Sequence, residues 1–298
     1  LALVSTASLP RFIALQSHSN QTRHYLTLQI NNGVPYLTFS AQQRTRLAVH
    51  EVLYNVNEEG VVMLRAPNGR FWQRNSSNYI VADREPVPTN LTSDPACYFK
   101  IYRRSDGHLV FQSLLDNRYL KRYTSHILHS LHASASASDD VHAALPISIA
   151  LDAAVILPRY IMLFGDNQRY VGDHHERKID WLKFNKDTPR LAAAHQVIPL
   201  LDGNFAILNM NLQKFWRRSP NWIWADVATL SSARDNKDCH FDVLKLSSTL
   251  ISFMSIANDR LLKRYTEYWQ DMLCAIGTTV NDPATRFTVL YSSARFST

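Results

Sequence analysis

Short runs of alternating apolar and polar residues recur along the chain, each followed by a polar turn and a second run with an aromatic residue or leucine at its head. The first runs read FIAL, VVMLRA, LVFQSL, YIMLFG, FAILNM and ISFMSI. The second begin at Tyr25, Phe71, Tyr119, Tyr170, Phe215 and Leu261. A period of two places one face of each run against a core, which predicts half-buried β-strands. The turns APNGR, LLDNR, GDNQR and IANDR carry Asn, Asp or Gly, residues that tolerate the positive φ angles of tight hairpins.

A third run follows each second one (YLTFSA, YIVAD, ILHSLHA, WLKFN, WIWAD, MLCAIG), and a fourth precedes the next unit (LAVHEVLY, CYFKIY, HAALPIS, HQVIPLL, HFDVLKL, RFTVLY). Six units of four short strands leave little room for helix, so the chain is expected to be all-β. Units of roughly 45 residues fit either propeller blades or the thirds of closed barrels. Likeness at a distance decides between them. GRFWQR matches QKFWRR three units later, and RYLKRYT matches RLLKRYT three units later, more closely than neighbouring units match. A duplicated three-unit domain produces that hierarchy, and equal propeller blades do not. The sequence predicts two tandem β-trefoil domains, residues 8–148 and 158–296, joined by a short linker at 149–157.

The 298 residues suffice for two domains of ordinary size. No apolar run reaches the roughly 20 residues that span a bilayer. The first residues, LALVSTASLPRF, lack the basic flank and long apolar stretch of a secretion signal. Cys97 and Cys239 occupy matching places in the two halves, so they are expected in separate cores, and Cys274 has no evident partner. Reduced thiols and the missing signal make a cytoplasmic or nucleocytoplasmic location the expectation. Three glycosylation sequons, at Asn20, Asn75 and Asn90, point the other way. The formal charge of +7 is spread as single Arg and Lys residues, with no block of like charge, so no nucleic-acid partner is expected.

Enzymatic signatures are missing: no nucleophile elbow, no glycine-rich phosphate loop, no zinc-protease helix. His126, His129 and His132 are spaced three apart, but on a strand and loop that spacing does not gather side chains on one face. No metal or other cofactor and no catalytic residues are expected. Phe71, Trp72, Phe215 and Trp216 recur in register and belong to the core. The turns after them differ: Asn75-Ser76-Ser77-Asn78-Tyr79 in one half, Ser219-Pro220-Asn221-Trp222 in the other. Amides that donate and accept, beside an aromatic face, are the parts of a sugar site, and also those of a solvated hairpin.

HQVIPLLDGNFAILNMNLQKFWRRSPNWIWAD at 195–226, GRFWQRNSSNYIVAD with ACYFKIY after it, and the paired RYLKRYT and RLLKRYT resemble the amaranthin-type plant agglutinins along nearly the whole chain. The resemblance implies a lectin of two β-trefoils, paired head to tail as a homodimer. Its ligand would be a galactose/N-acetylgalactosamine glycan, the T-antigen disaccharide, held where the N-terminal domain of one protomer faces the C-terminal domain of the other. The family turn Ser-Pro-Asn-His-Tyr-Trp places its Asn on Asn78 and its Tyr on Tyr79 with the turn one residue shorter, or its His on Tyr79 with the gap elsewhere; Ile80 stands where the family has Trp, and Asn75, Ser77, Asn78 and Tyr79 are the residues implied for the site. The turn Gly165-Asp166-Asn167-Gln168 is similar to the family's Gly-Asn-Asn-Gly, so Asp166, Asn167 and Gln168 complete the implied site. The competing expectations are a protein-binding trefoil with lost sugar binding and, more remotely, a glycan-processing enzyme.

Overall fold

A computed structural model describes residues 3–17, 23–55, 57–85 and 87–291. Asn20 and the last residues of the second predicted domain, 292–296, lie outside them. The chain is all-β, and its one α-helix among the described residues is the five-residue Leu230–Arg234. Second strands begin at Tyr25, Phe71, Tyr119 and Tyr170 as expected, and one residue early, at Lys214 and Arg260, in the last two units. In the four quoted turns the residue before Arg takes the positive φ: Gly69 at 77°, Asn117 at 63°, Gln168 at 61° and Asp259 at 53°.

Contacts divide the chain into two units. The first is Leu1–Ala154 with Leu201–Gly203, and the second is Val155–Leu200 with Asn204–Thr298. The predicted linker is not a free tether, because Ala150 and Ala154 are buried with Phe12, Ala14 and Val49 of the first unit.

The strand pairing corrects the expectation of two β-trefoils. In the first unit eight antiparallel strands close on themselves. From Phe99–Arg104 the order runs through Leu109–Ser113, Tyr119–Tyr123, Ser130–Ala135, Val34–Ala41, Ile80–Arg84, Phe71–Arg74 and Val61–Arg65. Val61 and Val62 then pair back to Lys100 and Phe99. Phe12–Leu15 and Ile147–Ile149 hang from this barrel as an extension, pairing with each other. The second unit is a separate twelve-stranded sheet. There the last strand, Phe287–Tyr291, pairs on both sides, with Tyr160–Phe164 and Leu250–Ser255.

In the first unit the corresponding run is HAALPIS, where the Pro146 carbonyl accepts from the Gln16 amide, so the missing proline N–H faces Gln16 and not Leu109–Ser113. The run's contact with Leu109–Ser113 shrinks to one bridge, Leu109 to Leu145. Two copies of one pattern therefore close differently.

Each unit has its own core. Trp72 is fully buried among Leu26, Phe39, Phe99 and Phe111, and Trp216 among Phe184, Phe205, Phe241 and Phe253. Strict alternation would send Phe71 and Phe215 to the opposite face from these Trp residues. Both remain buried, Phe215 in a satellite cluster with Leu200, Ala233 and Cys239. Register shifts lie at these points in both strands.

Candidate functional site

The turn nominated in the first unit joins Phe71–Arg74 to Ile80–Arg84. Its amide oxygens are spent on holding the turn. The Asn75 Oδ1 accepts the backbone N–H groups of Ser77 and Tyr79, each at 3.0 Å. Asn78 takes φ 70°, a conformation in which Asn is among the few tolerated side chains. Its Oδ1 accepts from the Arg74 guanidinium, through Nε at 3.1 Å and also through Nη2.

Arg74 is buried and in turn bonds Asp116, with Nη2 to Oδ2 at 2.7 Å. Burial works to raise the Asp116 carboxyl, but hydrogen bonds from Arg74 and from the Arg118 amide outweigh it. The net shift is below the usual carboxylate range.

Tyr79 lies 8% exposed, too deep to serve as an open plate. Its ring meets Tyr36 edge-on at 5.4 Å and His132 edge-on at 4.7 Å, and its hydroxyl donates to the Ser125 carbonyl at 3.3 Å. Tyr123 stacks on His132 at 4.3 Å, and His132 Nε2 bonds the Ser77 carbonyl at 3.0 Å. Burial pushes the His132 imidazole down, so a neutral ring that donates to the carbonyl is favoured. Tyr79 is thus the hub of a cluster whose outer members, Tyr36 and Tyr123, are half-buried, while Ser76 and Ser77 are exposed beside it. The Tyr36 and Tyr123 hydroxyls make no hydrogen bond among the described residues. Ile80, in the place of the family's Trp, is fully buried in the core.

The three residues nominated in the second unit sit in the hairpin turn between Tyr160–Phe164 and Tyr170–Glu176. Asp166 is bound by Arg264, with Nη2 to Oδ2 at 2.8 Å, and that bond holds its carboxyl below the ordinary range. Asn167 accepts from the Arg169 amide at 3.2 Å and donates to the Phe184 carbonyl at 3.2 Å. Gln168 is exposed at the apex.

His126 and His129 both take positive φ in the loop before Ser130–Ala135, and only His132 is on the strand. No group of three or more potential metal ligands comes together among the described residues. Cys97, Cys239 and Cys274 are buried free thiols in three different clusters.

Sequence reasoning missed a second aromatic cluster, in which Trp181, Trp222, Trp224, Tyr265 and Trp269 pack together in the second unit. The signal was present in WIWAD. Ile223 and Ala225 are core residues, so strand alternation puts Trp222 and Trp224 on the outer face.

No family model and no curated protein matches the chain. Among solved structures, a mosquitocidal holotoxin overlaps 94% of this chain at 11% identity and a TM-score of 0.46. The chain spans 33% of that toxin's length. A designed threefold-symmetric protein, ThreeFoil, overlaps 45% of this chain and all of its own at 6% identity and a TM-score of 0.38. Likeness of this degree defines neither the fold nor the function of this chain.

Proposed function

We propose that the protein is a non-catalytic glycan-binding protein that takes galactose- or N-acetylgalactosamine-type sugars at the aromatic cluster of the first unit. The observation that carries this reading is the pair of half-buried rings, Tyr36 and Tyr123, packed on Tyr79 and His132, with hydroxyls that make no hydrogen bond among the described residues. A sugar offers a face of C–H groups to such a ring and hydroxyls to its polar edge. The resemblance to the amaranthin-type agglutinins supports the same ligand class. Asn75, Asn78 and Tyr79 then act by shaping the turn, and Ser77 and Tyr123 supply the contacts. Asp116, ion-paired with Arg74, is held ionised and is a poor general acid, which fits binding without turnover.

Affinity through a single site is expected to be weak, and a homodimer would raise it by linking sites. Light scattering tests for the dimer. Calorimetry with the T-antigen disaccharide, beside a glycan array, tests the ligand. Tyr123→Phe should weaken binding by about tenfold, the value of one good hydrogen bond. Wild-type protein that binds no galactosyl glycan, yet captures a protein partner without competition by sugar, would replace this reading with a protein-binding one.

A further inference from the structure

Three strands of the second unit, Ile179–Lys186, Trp222–Val227 and Met272–Gly277, meet with Trp181 opposite Trp224 and Trp222 opposite Cys274. One face of this junction sends Leu182, Ile223 and Leu273 into the core. The other face would ordinarily be polar, since antiparallel sheets commonly keep one side in water. Instead it carries indoles. Trp269 stacks on Trp181 with ring centroids 6.0 Å apart and planes at 21°, and Trp222 meets Tyr265 edge-on at 5.5 Å. Trp222, Trp224 and Trp269 stay half-buried, and Tyr268, beside Trp269, is 84% exposed.

The charges around these rings are not equivalent. Arg217 lies over Trp224 at 5.2 Å but is neutralised by Asp226, and Arg264 is neutralised by Asp166 and Asp271. Arg177 differs. It sits at the tip of the hairpin between Tyr170–Glu176 and Ile179–Lys186, with its guanidinium 4.9 Å from the Trp269 ring centroid. No carboxylate pairs with Arg177 or with the adjacent Lys178 among the described residues. A cation held over a ring keeps the N–H edge of its guanidinium available to an anion.

We propose that this platform is a binding site for an acidic saccharide. The sugar ring lies against the exposed Tyr268, and its carboxylate or sulfate is bound by Arg177, held over the neighbouring Trp269, with Lys178 adding charge. The site is distinct from the tyrosine cluster of the first unit, takes a different sugar, and does not depend on galactose binding there. An anionic lipid surface fits less well. The platform's one strongly exposed ring carries a hydroxyl, and its aliphatic members Ile179 and Ile276 are not exposed.

The test is titration of the full chain, followed by tryptophan fluorescence and calorimetry, with three probes free of galactose and N-acetylgalactosamine: an unsulfated hyaluronan oligosaccharide, a sulfated heparan oligosaccharide and a neutral N-acetylglucosamine oligosaccharide. At least one acidic probe should bind about tenfold more tightly than the neutral one, as expected for one charge-assisted contact. The two acidic probes separate carboxylate from sulfate. Arg177→Gln and Tyr268→Ala, both exposed and without consequence for the core, should each weaken acidic binding by about tenfold. Tyr123→Phe should leave it unchanged, so failure here and failure of the galactose reading are separable. Equal binding of acidic and neutral probes, an unaffected Arg177→Gln variant, or binding to anionic vesicles with no oligosaccharide binding would each overturn the proposal.

Discussion

The indole Nε1 of Trp72 donates to Nδ1 of His50 at 3.1 Å in the first core, and Trp216 makes the same bond to His195 at 3.2 Å in the second. An indole N–H can only donate, so each Nδ1 must accept and each imidazole carries its proton on Nε2. That proton is given to a backbone carbonyl, Leu26 for His50 and Val171 for His195, each at 3.2 Å. Both histidines are fully buried, and desolvation lowers each pKa to about 4.

Acid should therefore loosen both units. The unfolded chain binds these protons from about pH 6.5 downward, whereas the folded chain resists them to about pH 4. Stability is fully present above pH 6.5 and falls with pH through that window, by about 3 kcal/mol for each histidine. Urea unfolding at pH 7 and pH 4.5 measures the loss. His50→Phe should flatten the first unit's share of the pH dependence while lowering its stability at pH 7. A flat wild-type profile across this window would refute the buried-neutral assignment.

Removing the donor should cost stability without changing the sugar preference. Trp72→Phe leaves the His50 Nδ1 acceptor unpaired and opens space in the core, with an expected loss of about 2–4 kcal/mol. Trp216→Phe should behave alike in the second unit. Denaturant midpoints report the loss, and calorimetry with sugar at a temperature where the variant is folded reports binding.

Asn78 should be replaced more cheaply by Gly than by Ala. Both variants lose the bond from Arg74, but Ala additionally pays about 1–2 kcal/mol for its positive φ, and Gly does not. Thermal unfolding of Asn78→Ala and Asn78→Gly gives the comparison directly. Equal losses would mean that the Arg74 contact, and not the backbone, sets this residue.

The thiols should be silent in the native protein. Burial raises the Cys97 thiol to about 11 and the Cys239 thiol to about 12, and pushes Cys274 up as well. Little thiolate is present at pH 8, and none of the three is accessible. A chromogenic disulfide reagent should titrate no thiol in buffer and all three in denaturant. Rapid native labelling would contradict the packing described around them.

Hairpins were legible in the sequence because they are local: alternation, an Asn or Gly at the turn and an aromatic at the strand head fixed four starts to the residue. Lys214 and Arg260 escaped because a charged side chain at a strand's first position looks like turn. Closure was not legible, since it depends on which distant strand edges meet. The nominated amides show a different limit. A sequence cannot distinguish an Asn that receives a ligand from one that receives its own backbone, and Asn75 and Asn167 do the latter. Trp181 and Trp269 were invisible as a pair because they lie in different repeats.

Arg177 and Lys178, at φ 51° and 65°, occupy the two positions of a hairpin tip where Asn-Gly would sit with less strain. An engineer seeking a more robust protein would change them first, and each replacement should raise the melting temperature. The same exchange would erase the charge that the platform offers. At this tip, thermal robustness and ligand recognition pull in opposite directions, so a stability screen alone would select against the recognition proposed for it.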